Sequence, residues 1–122
     1  MREILFRAKR KDNGDWVYGD LIHNIDCVKV RERETDINRI AKSYEIIPKT
    51  VCQYTGVKDS NGTEIWEGDI VRYPCGAEYE TFYDDEMMSF RLKNGTDIHS
   101  LEIESNFELE VIGNIHDKEE EI

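Results

Sequence analysis

The chain has 122 residues, 35% of them charged, and a formal net charge of −11. That length holds one domain, or one domain with a small N-terminal subdomain, and buries a core without staples. The acidic balance argues against a general binder of phosphate backbones. Cys27, Cys52 and Cys75 are odd in number, widely spaced and without a CxxC, which excludes a disulfide framework and points to a reduced, cytoplasmic setting.

Glu3 to Lys9 alternates, with Ile4, Phe6 and Ala8 on one side, and predicts a half-buried strand. Lys11-Asp12-Asn13-Gly14 turns it into a second strand, Trp16 to His23, and Cys27 to Arg31 forms a third. In Arg33 to Tyr44, Ile37, Ile40, Ala41 and Tyr44 fall on one helical face, which predicts a short helix packed on its own sheet. The competing reading is a long polar loop with a strand resuming near Tyr44. Pro48 marks a joint between an N-terminal β-hairpin subdomain, residues 1–50, and the domain that follows.

From residue 51 the turns come quickly. Val51 to Val57 suits a strand, and Asn61-Gly62 predicts a type I′ hairpin turn. Ile65 and Trp66 begin the return, Glu67-Gly68-Asp69 breaks it, and Ile70 to Tyr73 resumes before Pro74. Asn13 to Ile22 has a similar order of Asn-Gly, Trp16, Gly19-Asp20 and aliphatics, and reads as the same device used twice, with both indoles as core plugs. Further strands are expected over Glu78 to Asp84, over Met88 to Leu92, over Ile98 to Ile103 after the Asn94-Gly95 turn, and over Leu109 to Ile112. The fold class is therefore mainly β, with an SH3-like antiparallel roll or barrel over 51–116, roughly 60 residues in size. Residues 117–122 are an acidic, solvated tail.

Four stretches carry a resemblance beyond the fold class. MREILFRAKR at the start, WVYGDLI at 16–22, IIPKTVCQYTGVKDSNGTEIWEGDIV at 46–71 and FELEVIGNIHD at 107–117 resemble the YopX family of small proteins from phages and prophages of Gram-positive bacteria. Residues 24–44 match least and look like a variable insert. Lys49 and Cys52 stand where members usually have Glu and Gly. The resemblance implies a mainly β, SH3-like fold and a phage-encoded accessory role. It brings no established catalytic residues.

The chemistry-bearing residues are scattered. His23, His99 and His116 stand far apart, outside any HxxxH or HxxE pattern, so zinc is not expected. Asp84-Asp85-Glu86 reads as a solvated turn rather than a cation site. Glu67 and Asp69 could divide acid and base roles, but the favoured reading is that Asp69 accepts backbone N–H bonds and fixes its turn. Cys75, in a Pro-Cys-Gly turn, is the exposed thiol, and Cys27 and Cys52 are expected to be buried. No catalytic, cofactor-binding or metal residue is assigned.

The expected role is thus a non-enzymatic module that binds a host or phage protein, with a homo-oligomer as a further expectation and no membrane partner. Residues 1–11 carry a local +4, so the rest of the chain carries −15 against the total of −11. That asymmetry supports the alternative, a nucleic-acid-linked role, by DNA contact through the basic N-terminal strand or by acidic mimicry of DNA.

Overall fold

A computed structural model describes residues 3–33, 38–105 and 107–119. The chain is mainly β and divides into two compact units, Met1–Gln53 and Tyr54–Ile122.

The first unit is an antiparallel meander of β1 (Phe6–Lys9), β2 (Trp16–His23), β3 (Val28–Arg31) and β4 (Ser43–Glu45). Its β1–β2 loop closes with Arg10 N–H on Asp15 O at 2.8 Å and Gly14 N–H on Arg10 O at 2.9 Å. Past β4 the chain returns to the end of β1: Arg10 bridges Ile46, and Ile47 N–H donates to Lys9 O at 2.9 Å. A 3₁₀ turn, Pro48–Thr50, then uses the fixed φ of Pro48 at its first position. The Thr50 hydroxyl accepts from Lys9 N–H at 2.9 Å and donates to Ile47 O at 2.6 Å. Ala8, Val17, Val30 and Ile46 form the core of this unit.

β5 (Cys52–Lys58) starts in the first unit, where Cys52 and Gln53 pair with Arg7 and Phe6. From Tyr54 it belongs to the second unit and pairs with β6 (Glu64–Trp66). The second unit also holds β7 (Asp69–Arg72), β8 (Glu78–Asp84), β9 (Ser89–Asn94), β10 (Asp97–Ser100) and β11 (Glu110–Asn114). These five form an antiparallel sheet in the order β10-β9-β8-β7-β11. The core is Ile65, Val71, Phe90, Leu92, Leu101 and Leu109. Each such aliphatic or aromatic side chain stabilises the fold by about 1.5–3 kcal/mol on burial.

The structure corrects the sequence reading in several places. The second unit is an open sheet rather than a closed barrel. The three-residue β6 pairs with β5 alone, the chain corners at Gly68, and β11 takes the remaining edge of β7. The helix expected over 33–44 lies partly on residues 34–37, outside the described residues. In the described part, Ile40 is 90% exposed and Tyr44 lies in β4, paired with Val30, so the resumed strand is the correct alternative. The strand expected through Ile103 stops at Ser100. Leu101–Glu104 is one helical turn, α1, that buries Leu101 and exposes Ile103. The Asn61-Gly62 turn is not type I′, because only Gly62 of the pair has positive φ, at 83°. Gly62 N–H bonds Asp59 O and Asp59 N–H bonds Thr63 O, a three-residue loop that ends on a left-handed glycine. The acidic tail begins as a helical turn, α2 (Ile115–Glu119), and residues 120–122 lie outside the described residues.

Candidate functional site

Strand register builds one polar and aromatic cluster in the second unit. Leu92 of β9 faces Thr81 on one side and His99 on the other, while Val71 of β7 faces Tyr79 of β8. Tyr73 follows Val71 by two residues, so period-two alternation puts Tyr73, Tyr79 and His99 on the core-side face of the sheet. Tyr73 N–H bonds Ala77 O at 2.9 Å, and this turn brings the ends of β7 and β8 together. Phe107, after α1, completes a run of four rings. Centroids lie 6.4 Å apart for Phe107–Tyr73, 5.3 Å for Tyr73–Tyr79 and 5.6 Å for Tyr79–His99, the last two edge-to-face.

Carboxylates edge the run. The Tyr79 hydroxyl donates to Asp97 Oδ2, His99 Nε2 lies 3.0 Å from Asp97 Oδ1, and His99 Nδ1 lies 3.4 Å from Glu104 Oε1. The Tyr79 hydroxyl, and then His99, hold the Asp97 carboxyl below its ordinary range. The same bond to Asp97 pushes the Tyr79 phenol up. Burial pushes the Tyr73 phenol up further, with the Glu104 carboxylate adding to it. The chemistry follows from this arrangement. Both imidazole nitrogens face carboxylates, and both phenols are held protonated at neutral pH. The cluster therefore offers ring edges, ring faces and negative charge to a bound group.

The other sequence candidates have structural occupations. Asp69 is 2% exposed; its Oδ2 accepts from Trp66 N–H at 2.7 Å and its Oδ1 from Asn114 Nδ2 at 2.9 Å. It fixes the Gly68 corner, as the favoured reading expects. Glu67 beside it is half-buried. Asp84 Oδ1 accepts from the N–H groups of Glu86 and Met87, and Asp85 and Glu86 are exposed. Among the described residues no group of three His, Cys, Asp or Glu side chains is placed to hold a metal ion. Cys52 is buried and Cys75 exposed, but Cys27 is only half-buried, with Asn24 Nδ2 3.9 Å from its sulfur.

The two Trp-and-Gly-Asp stretches are not one device. Trp66 is 2% exposed and packs on Tyr54 at 5.4 Å, and its corner buries Asp69. Trp16 is half-buried, with the Arg7 guanidinium 4.4 Å from its ring centroid and the Lys9 ammonium at 5.3 Å. Gly19 and Asp20 lie inside β2, and the exposed Asp20 pairs with Arg33 at 2.8 Å. The basic N-terminal residues are also engaged within their own unit. Lys9 is 2% exposed, Arg10 forks Asp12 at 3.0 and 2.7 Å and stacks on Tyr44 at 4.2 Å, and Lys11 faces Glu45 at 3.4 Å.

The ring cluster is absent from the sequence expectations, because its members come from four separate segments. The usable signal is local: Asp97 and His99, two apart in one strand, must share a face.

A family model described as YopX protein matches residues 5–122. The crystal structure of protein EF1440 from Enterococcus faecalis is similar in fold, with a TM-score of 0.64 and 19% identity over 98% of each chain. Among curated proteins none matches. Among the described residues no helix is long and apolar enough to cross a membrane.

Proposed function

The chain belongs to the YopX protein family, and from that premise we propose that it is a phage- or prophage-encoded accessory protein, working as a non-enzymatic protein-binding module in the cytoplasm of the host bacterium. The observation that carries this reading is the ring run of the second unit, which packs on the core at Tyr73 and Tyr79 and reaches the surface at Phe107. Phe107 is 56% exposed and leads through Tyr73 and Tyr79 to His99. Rigid aromatic side chains supply large contact area at low entropic cost and are enriched where proteins bind one another. A run of rings edged by carboxylates offers a partner both contact area and charge.

Affinity capture with the full chain from a lysate of a prophage-bearing Gram-positive host tests this. A discrete protein retained by the chain and not by the bare matrix is expected; nothing above the matrix counts against the reading. DNA contact through the basic N-terminal strand has less behind it, because Lys9 is buried and Arg10 and Lys11 already face carboxylates. A second copy of the chain is a further partner we propose, since β10 is the terminal strand of its sheet and edge strands pair readily. Sedimentation of the purified chain measures it.

A further inference from the structure

We propose that the ring run Phe107–Tyr73–Tyr79–His99, with Asp97 at its edge, is the docking site for an arginine-bearing segment of the partner protein. This rests on the binding-module reading and gives its partner a chemistry. The first unit shows the grammar that such a site needs. There Arg10 lays its guanidinium on the Tyr44 ring at 4.2 Å and forks the Asp12 carboxylate at 3.0 and 2.7 Å. Ring face and carboxylate together hold one planar cation. The second unit presents the same two components. Rings stand 5.3 to 6.4 Å apart, and Asp97, whose side chain is 57% exposed, sits at the Tyr79–His99 end.

The cation is missing from the segment that builds this edge. Residues 97–110 hold Asp97, Glu102, Glu104, Glu108 and Glu110 and no lysine or arginine, and Glu110 already faces Arg72 of β7 at 3.8 Å. α1 likewise has acidic residues in its first turn and no basic residue in its last. Asp97 spends one oxygen on the Tyr79 hydroxyl and the other on His99, and a carboxylate offers about four lone-pair positions, so acceptor capacity is left on its exposed side. Arginine fits better than lysine. Its guanidinium is flat, stacks on aromatic faces and bonds carboxylates through a fork, whereas an ammonium is a strongly hydrated point charge.

The test uses the full chain and a fluorescein-labelled Gly-Ser peptide with spaced arginines, beside its lysine and citrulline counterparts. Anisotropy and backbone amide NMR shifts are read together. The expected result is saturable binding of the arginine peptide, weaker binding of the lysine peptide and none of the citrulline peptide, with shifts centred on Tyr73, Tyr79, His99 and Phe107. Phe107→Ala and Asp97→Asn, both at exposed positions, should each weaken binding by about fivefold or more. The double variant Asp85→Asn, Glu86→Gln in the β8–β9 turn should leave it unchanged.

Equal loss in that turn variant would show diffuse attraction to an acidic body and overturn the proposal. So would absence of binding at about 1 mM peptide, shifts centred elsewhere, or a dimer of the free chain that Phe107→Ala dissolves. A partner captured from lysate that the arginine peptide fails to displace overturns this inference and leaves the binding-module reading standing. Peptide binding with no partner captured counts against the binding-module reading and leaves standing only the arginine selectivity of the ring site.

Discussion

Asp69 and Asn114 stand 45 positions apart in sequence and meet side chain to side chain, the Asn114 amide donating to Asp69 Oδ1 at 2.9 Å. The other Asp69 oxygen takes the Trp66 N–H, and both residues are 2% exposed. Asp69→Ala leaves at least two donors buried without their acceptor. Urea unfolding should show a loss of about 2–4 kcal/mol. Asp20→Ala removes the exposed pair with Arg33 and should cost about 1 kcal/mol or less. Equal losses at the two sites would contradict the distinction between them.

Gly19 is required by proximity. A Cβ built there would lie 2.0 Å from the Arg31 carbonyl oxygen on the neighbouring strand. Backbone cannot yield as a side-chain tip can, so Gly19→Ala should destabilise by about 3 kcal/mol or abolish folding of the first unit. At Gly62 a Cβ meets nothing within 4 Å, and only the left-handed φ opposes it. Gly62→Ala should cost about 1–2 kcal/mol. Thermal melts of the two variants compare them directly.

Thr81 is fully buried, and its hydroxyl is among the described buried polar atoms without a hydrogen-bond partner. Thr81→Val keeps the shape and removes a desolvated polar group. It should stabilise the protein by about 1 kcal/mol, read as a higher urea midpoint at unchanged slope.

The ring cluster should leave a pH signature at both ends. The folded Asp97 carboxyl lies below its ordinary 3.8. Its contribution is therefore complete above that value and is lost as pH falls through the lower, folded one. Asp97→Asn should flatten the decline in stability as pH falls below 3.8, by a small amount that salt reduces further. The folded Tyr79 phenol lies above its ordinary 10.0, and Tyr73 is also raised. Their contributions hold below 10.0 and fade as pH rises through the raised values. Tyrosinate absorbance of the wild type against Tyr73→Phe and Tyr79→Phe variants should show these two phenols resisting titration at pH 10.0 until the chain unfolds.

Much of the fold was legible in the residues. Alternation and turn chemistry locate most of the strands, because each is a local pattern: Val28 and Val30 in β3, Phe90 and Leu92 in β9, Ile70 and Val71 in β7. The misses have physical causes. Tyr44 is spaced for a helix but packs in the first core, where Val30 across the ladder outweighs a weak local preference. Leu101-Glu102-Ile103-Glu104 alternates like a strand, yet only Leu101 is buried, and one helical turn meets that single need. Lys9, on the charged side of β1, is 2% exposed with its ammonium 5.3 Å from the Trp16 ring centroid, an arrangement no alternation rule contains. The candidate site was hardly legible at all. Its rings and carboxylates come from Tyr73 just after β7, from β8, β10 and α1, and from the stretch beyond α1, and only the folded sheet brings them together.

β11 carries a duty out of proportion to its five residues. Beside the Asn114 bond, Val111 N–H donates to Asp59 Oδ2 at 3.0 Å, and just before the strand the Leu109 carbonyl takes both the amide and the hydroxyl of Ser60. Part of what secures the β5–β6 loop and the Gly68 corner thus waits for residues 45 to 52 positions further along the chain. Until that strand leaves the ribosome, β7 lacks its β11 neighbour, and the Asp59 and Asp69 carboxylates each lack one of their partners. A nascent chain paused there leaves one edge of β7 unpaired and open to misassembly, and a nonsense codon before residue 109 would remove Leu109 from the core as well as that strand.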